Sequence, residues 1–443
     1  MGNNDKLQNR RELRRKRRVR NQIISYVVLI LLILTAAVGI VFATRRLLFD
    51  SKSARQEETE NKELINDILA EEESIATPEP VPEETTPPEP ELTAEEKLDE
   101  LVESKVAAMS LEDKVMGLFI VTPEAITGVS TVIQAGEGTQ QALNQYPVGG
   151  LIYFKQNIQS EEQLKTMLEN TAQCAKYPLF LAVDEEGGSV SRVAASGIGP
   201  ETAGAADIGA AGNTDNAYQA GVSIGSTLSG LGFNLDFAPV ADLANAEDSI
   251  MKERSYGTDP SAVSGFVASM KAGLEEQGVT ACLKHFPGIG STTGDTHEGM
   301  VSLPRTAEQF WAEELAVFQA GIDAGADMIM ISHVSVPALT GDNEPCIFSR
   351  LLVTDILREQ MHFDGVVITD ALNMAAVSEY NTAEEAAVRA ILAGCDMLLM
   401  PEDFEQAYQG VLKAVQNGNI AEERINDSLK RIYRIKYADL PEQ

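Results

Sequence analysis

Eight short apolar runs, most of them followed by a longer amphipathic stretch, constrain this chain more than any other feature. The runs fall at residues 117–121, 150–154, 179–183, 234–238, 281–284, 328–331, 366–369 and 396–400. They are nearly continuous in apolar character rather than alternating, as strands of a parallel sheet buried on both faces must be. Helical periodicity covers 161–175, 215–231, 261–277, 306–324, 350–360, 382–392 and 421–433. Eight strand–helix units in about 340 residues predict an α/β fold, a single (β/α)8 TIM-type barrel with some long loops. A doubly wound sheet is the competing arrangement. It would more often carry a Gly-rich dinucleotide turn after its first strand, and none follows residue 121.

The barrel is expected over residues 98–438, and what precedes it differs in kind. Residues 23–43 form an uncharged apolar run of 21 residues. As a helix it would reach about 30 Å, the thickness of a bilayer core. Arg10, Arg11, Arg14, Arg15, Lys16, Arg17, Arg18 and Arg20 precede it, outvoting Arg45 and Arg46 behind it. That asymmetry predicts a transmembrane signal-anchor helix, with a basic segment, residues 1–22, in the cytoplasm and the rest outside. A cleaved signal peptide is the competing reading, with Val41-Phe42-Ala43 as its cleavage site, but the apolar run is long for a signal core. Residues 44–97 contain Thr77-Pro78-Glu79-Pro80 and Thr86-Pro87-Pro88-Glu89-Pro90. A stretch so rich in Pro and Glu has too little apolar surface to fold and reads as a disordered, extended spacer.

Net charge is −32, unevenly placed. Residues 1–46 hold eleven Lys/Arg against two Asp/Glu, net +9, which leaves −41 on the remainder. An exterior so acidic repels phosphate and argues against nucleic acid as a partner; maintaining solubility is its plainer role. The four cysteines, Cys174, Cys282, Cys346 and Cys395, form no closely spaced pair, so neither a zinc motif nor a redox motif is present.

Polar residues gather where the apolar runs end. Asp184, Glu185 and Glu186 follow the third run; Asp236 and Asp242 lie in and beyond the fourth. Lys284 and His285 end the fifth, His333 follows the sixth and Asp370 the seventh. In a barrel these ends share one rim, the rim that carries active sites. Of the four histidines, His285, His297 and His333 lie on or beside it, and His362 does not. Asp370 closes the run Gly365-Val366-Val367-Ile368-Thr369, where a carboxylate is costly unless hydrogen-bonded or functional; capping the next helix is its plainer role. Asp295 and His297 sit two apart in a Gly/Thr-rich loop. An Asp so placed can orient an imidazole for acid and base work in turn, or the two are simply an exposed loop pair. His297, His285 and Asp295 could ligate zinc, but Lys284 beside them disfavours a cation, and no metal or organic cofactor is expected. The loop lacks the Gly-Lys-Ser/Thr of a phosphate cradle.

At these residues the sequence resembles glycoside hydrolase family 3, particularly its bacterial β-N-acetylglucosaminidases, over most of the globular region. Lys284-His285-Phe286-Pro287-Gly288 with Asp295-Thr296-His297 behind it is similar to the family's most distinctive motif. Asp184-Glu185-Glu186-Gly187-Gly188 through Arg192, Glu253-Arg254-Ser255-Tyr256-Gly257, and Gly365 through Asp370 to Met374 resemble three others. The resemblance implies Asp370 as nucleophile, His297 as general acid/base assisted by Asp295, and Asp184, Arg192, Arg254, Lys284 and His285 as ligands of the sugar. The family's larger β-glucosidases add a second α/β domain, for which the residues after Ile432-Tyr433 leave no room, so the N-acetylhexosaminidase branch is expected. Ser189, Ile289 and Glu185 depart from the family's frequent Arg, His and Gln. They leave every implied catalytic group in place and bear on substrate preference.

The expected activity is therefore retaining hydrolysis of terminal β-linked N-acetylglucosamine, with peptidoglycan fragments as the substrate that the outward topology suggests. A retaining glycosidase passes through an oxocarbenium-like state between a carboxylate nucleophile and a proton donor. Here an Asp–His dyad would supply the proton in place of a second carboxylic acid. A phosphorylase using phosphate instead of water and a non-catalytic cell-wall-binding protein are the alternatives.

Overall fold

The computed structural model describes residues 92–438. Eight parallel strands form one sheet: β1 (Phe119–Val121), β2 (Gly150–Ile152), β3 (Phe180–Val183), β4 (Leu235–Asp236), β5 (Thr280–Phe286), β6 (Met328–Ile331), β7 (Val366–Thr369) and β8 (Leu398–Leu399). Their spatial order is β8-β1-β2-β3-β4-β5-β6-β7. A parallel bridge between Ile368 and Met397 brings β7 back to the foot of β8, so the sheet is a nearly closed barrel. Every residue of these strands except Thr280 is buried. That burial on both faces is why the runs are continuously apolar instead of alternating. Fully burying each large apolar side chain contributes about 1.5–3 kcal/mol.

Helices cover the barrel, and their ends follow local chemistry. Ser160 caps Glu161–Cys174 by accepting from the Gln163 amide. Asp259 caps Pro260–Glu276, with Pro260 in the first turn where its missing N–H costs nothing. Thr382 and Glu385 satisfy each other's backbone in a capping box that opens Ala383–Ala393.

Three expectations change. The segment 306–324 is two helices, Ala307–Ala312 and Glu314–Asp323, broken at Glu313 with φ −123° and ψ −81°. The segment 350–360 is π-wound over Leu351–Gln360, and the Met361 amide donates to the Ile356 carbonyl five residues back. No residue in that segment announces so rare a winding. After β3 the chain makes a small antiparallel hairpin, Glu185–Gly187 with Val190–Ser191, where no strand pair was expected.

The first helix, Ala94–Ala107, begins at the Thr93 cap, within the stretch whose composition reads as spacer. It lies against the last helix, Glu422–Ala438, where Arg434 pairs with Glu95 and Asp99. Among the described residues no helix is long and apolar enough to cross a membrane. The anchor expected at 23–43, and the basic segment and most of the spacer on either side of it, lie outside the described residues. All four cysteines are free thiols, with Cys282, Cys346 and Cys395 buried.

Candidate active site

The C-terminal strand ends bring the expected residues to one rim. The hairpin after β3 carries Asp184 and Glu186 on one side and Glu185 on the other, as extended backbone alternates. Lys284, on β5, places its ammonium 2.8 Å from Asp184 Oδ1 and 2.7 Å from Glu186 Oε1. Arg254 grips Glu186 with two bonds, Nε to Oε2 at 2.8 Å and Nη2 to Oε1 at 2.6 Å. Asp184, Lys284 and Arg254 are thus one network, joined by Glu186, which sequence reasoning had left without a role. The alternation along Asp184-Glu185-Glu186 was the signal for it. Burial opposes charge on Glu186, yet Lys284 and Arg254 overcome it and hold the carboxyl down at about 2. Burial would likewise lower the Lys284 ammonium, but Asp184 and Glu186 carry it above its ordinary range.

Glu185 points away from this network. Its carboxylate accepts from the amides of Arg192 at 2.6 Å, Val193 at 2.8 Å and Ala194 at 3.1 Å. Its departure from Gln therefore bears on the turn that presents Arg192, not on contact with a ligand. Ser189 is exposed at the hairpin tip, and Ile289 is buried in the core. The Arg192 guanidinium lies 6.0 Å from the Phe154 ring centroid, and its Nε is buried with no hydrogen-bond partner among the described residues.

His285 is oriented by Asp242, another residue left without a role. Asp242 Oδ2 lies 2.7 Å from His285 Nδ1, and Asp242 Oδ1 accepts from the Ile289 amide at 2.8 Å. With Nδ1 so engaged, His285 Nε2 is available to a ligand. Asp236, by contrast, is fully buried and accepts from the Glu185 amide at 2.9 Å. Burial pushes its carboxyl well above the usual range, and its one hydrogen bond is to the backbone, so its place is structural.

Asp370 follows β7 and is half-buried. Its Oδ1 accepts from the Ala371 amide at 2.7 Å, so the capping role reaches no further than the adjacent residue. Burial works against its charge; the imidazoles of His333 and His285, the Ala371 amide and Lys284 outweigh it and hold the carboxyl below the ordinary range. His333, buried beneath, places Nε2 2.8 Å from the Ala371 carbonyl and so braces the same turn. Asp370 is therefore an ionised carboxylate at neutral pH.

Asp295 and His297 are joined twice. Asp295 Oδ1 lies 2.8 Å from His297 Nδ1 and accepts from the His297 amide at 2.9 Å. The His297 side chain is 71% exposed. The loop apex reaches toward the Asp370 segment, where the Ala376 amide donates to the Thr296 carbonyl at 3.2 Å.

A barrel rim that gathers an ionised carboxylate, an Asp–His pair and a buried set of charged hydrogen-bonding groups has the parts that glycoside hydrolysis requires. The chain belongs to glycosyl hydrolase family 3: residues 93–435 match that family's N-terminal domain. A β-hexosaminidase of Chromobacterium violaceum is 34% identical over 279 residues, covering 61% of this chain and 76% of that protein. β-Hexosaminidase A of Pseudoalteromonas piscicida is 30% identical over 331 residues, 67% of this chain but 54% of its own length. The chain thus spans little more than half of that relative. Among solved structures, a family 3 β-N-acetylglucosaminidase from Paenibacillus sp. str. FPU-7 superimposes with a TM-score of 0.69 at 32% identity, covering 76% of this chain and 65% of that one.

Proposed function

We propose that this chain is a retaining β-N-acetylhexosaminidase that removes terminal β-linked N-acetylglucosamine. The observation that carries the reading is the joining of the dyad loop to the nucleophile segment through the Ala376–Thr296 bond, with Asp370 ionised beside it. Asp370 attacks the anomeric carbon and forms a glycosyl-enzyme ester, while His297 donates its Nε2 proton to the departing oxygen. Asp295 holds Nδ1, so the imidazole presents Nε2 outward; it then accepts a proton from the water that attacks the anomeric carbon, and the bond from that carbon to Asp370 breaks to release the carboxylate. One imidazole nitrogen so presented can donate in the first step and accept in the second. Asp184, Arg254, Lys284, His285 and Arg192 hold the sugar hydroxyls and the 2-acetamido group. Their charged hydrogen bonds are short and geometrically fixed, so they can hold the ring while the transition state forms.

The reading extends to a membrane-tethered, extracytoplasmic enzyme acting on peptidoglycan-derived fragments. The apolar run at 23–43 and the arginines before it support that placement. The test is release of nitrophenol from its β-N-acetylglucosaminide, with and without phosphate. Turnover independent of phosphate, lost in Asp370→Asn, is expected. Phosphate-dependent turnover yielding the sugar 1-phosphate would convert the reading to a phosphorylase. A folded protein that binds the sugar without turnover would convert it to a binding protein.

A further inference from the structure

The His297 side chain is 71% exposed, and beyond the Thr296–Ala376 bond the placement of the dyad depends on how the two stems of its loop are held. The two stems converge on one side chain. At the entry, Ser291 Oγ donates to Glu314 Oε1 at 2.6 Å. At the exit, Arg305 Nη2 donates to Glu314 Oε2 at 3.0 Å and also pairs with Glu313. Asn245, from the loop after β4, reaches both acids at 3.3 Å. Glu314 is 1% exposed, so water does not compete for these bonds.

The surroundings are built for this approach. The break at Glu313 divides an otherwise continuous helical segment, so that Glu313 and Glu314 both meet Arg305. Gly288, at φ 112°, passes so close that a Cβ there would lie 2.8 Å from Glu314 Cγ. On the exit side, the Leu303 amide donates to Ser335 and the Ser335 amide to Val301, fixing that stem against the loop after β6.

We propose that Glu314 is a positioning residue for proton transfer: one buried carboxylate ties both stems of the acid/base loop and sets where His297 stands. This inference rests on the acid/base reading of His297. It predicts a loss that depends on how much the leaving group needs a proton. An activated phenolate departs without one; a basic alkoxide does not.

The test measures kcat/KM of the full chain on β-N-acetylglucosaminides whose leaving groups run from dinitrophenol to methanol. Glu314→Gln weakens both ties and keeps the size; Ser291→Ala removes the entry tie alone and is the milder variant should Glu314→Gln fold poorly. His297→Ala calibrates the series. Glu314→Gln should lose roughly 10- to 100-fold on the poorest leaving groups and little on dinitrophenol, with Ser291→Ala in the same direction and smaller. Azide should accelerate turnover of the dinitrophenyl substrate in Glu314→Gln, as it should in His297→Ala. Equal losses across the series, or none, in both stem variants would overturn the positioning role while a steep His297→Ala series leaves the dyad standing. A flat His297→Ala series would remove the dyad assignment and Glu314's role with it.

Discussion

The two ends of the barrel each hold a buried carboxylate among several cations, and they use it differently. At the foot, Asp396 opens the approach to β8 and takes Arg358, Arg424 and Arg431 together with Ser428 and the Val367 amide. The arginines are themselves engaged: Arg358 bonds the Phe363 and Gly365 carbonyls, and Arg424 the Cys395 carbonyl. At the rim, Glu186 takes Lys284 and Arg254, but around it stand groups with capacity left over, such as Arg192 Nε, His333 Nδ1 and the outward nitrogen of His285. A cluster whose bonds close on themselves holds the fold together. One that keeps donors in reserve can take a ligand. Charge density alone does not tell them apart.

Exchanging charges at each end tests that contrast. The largest expected effect is at the rim: Asp370→Asn should lower kcat by roughly 10^4-fold or more while leaving the melting temperature near that of the parent. His297→Ala should cost about 10^2- to 10^4-fold on substrates with poor leaving groups. Asp396→Asn should do the reverse, destabilising by about 3–5 kcal/mol in denaturant titration because three guanidiniums lose their carboxylate, with kcat per folded molecule retained. If Asp396→Asn instead lost activity at full stability, the division of labour between the two ends would be wrong.

A second buried group at the foot gives a pH signature. Lys436 donates to the Gly149 carbonyl at 2.6 Å and has no carboxylate within ion-pair distance among the described residues. Burial holds its amine down at about 7. Between that value and its unfolded value near 10.4 the unfolded chain binds a proton that the folded chain does not. Stability from this group therefore rises with pH across that window, by at most about 1.4 kcal/mol per pH unit, and its penalty is fully present below it. The aromatic rings of Phe180 and Tyr433, 4.7 and 4.9 Å away, favour the charged form and moderate the slope. Lys436→Met should remove that rise, as read from unfolding midpoints between pH 7 and 10. Asp236→Asn should have the smallest effect of all, within about 1 kcal/mol and with near-parental kcat/KM, because the amide keeps the size and the oxygen that accepts from the Glu185 amide, and burial already disfavours the charge it removes.

The barrel was legible because its strands are buried on both faces and so read as uninterrupted apolar runs. The rim was legible because charged residues follow those runs at five separate strand ends. What escaped was contact between loops. Nothing local says that Asp242 orients His285 across 43 positions, or that Ser291 and Arg305 meet at Glu314. The break at Glu313 was hidden because both flanking stretches keep helical periodicity. The role of Glu185 was hidden because a carboxylate bound to three backbone amides looks, in sequence, like a carboxylate facing a ligand.

The central claim is that Asp370 becomes covalently bonded to the sugar, and trapping that bond tests it most directly. The full chain would be treated with a 5-fluoro N-acetylglucosaminyl fluoride, which forms the glycosyl-enzyme quickly and releases it slowly, then digested and mapped by mass spectrometry. The account predicts one sugar adduct, on the peptide bearing Asp370, absent in Asp370→Asn. An adduct on another residue, or turnover of the reagent with none on Asp370, would contradict it.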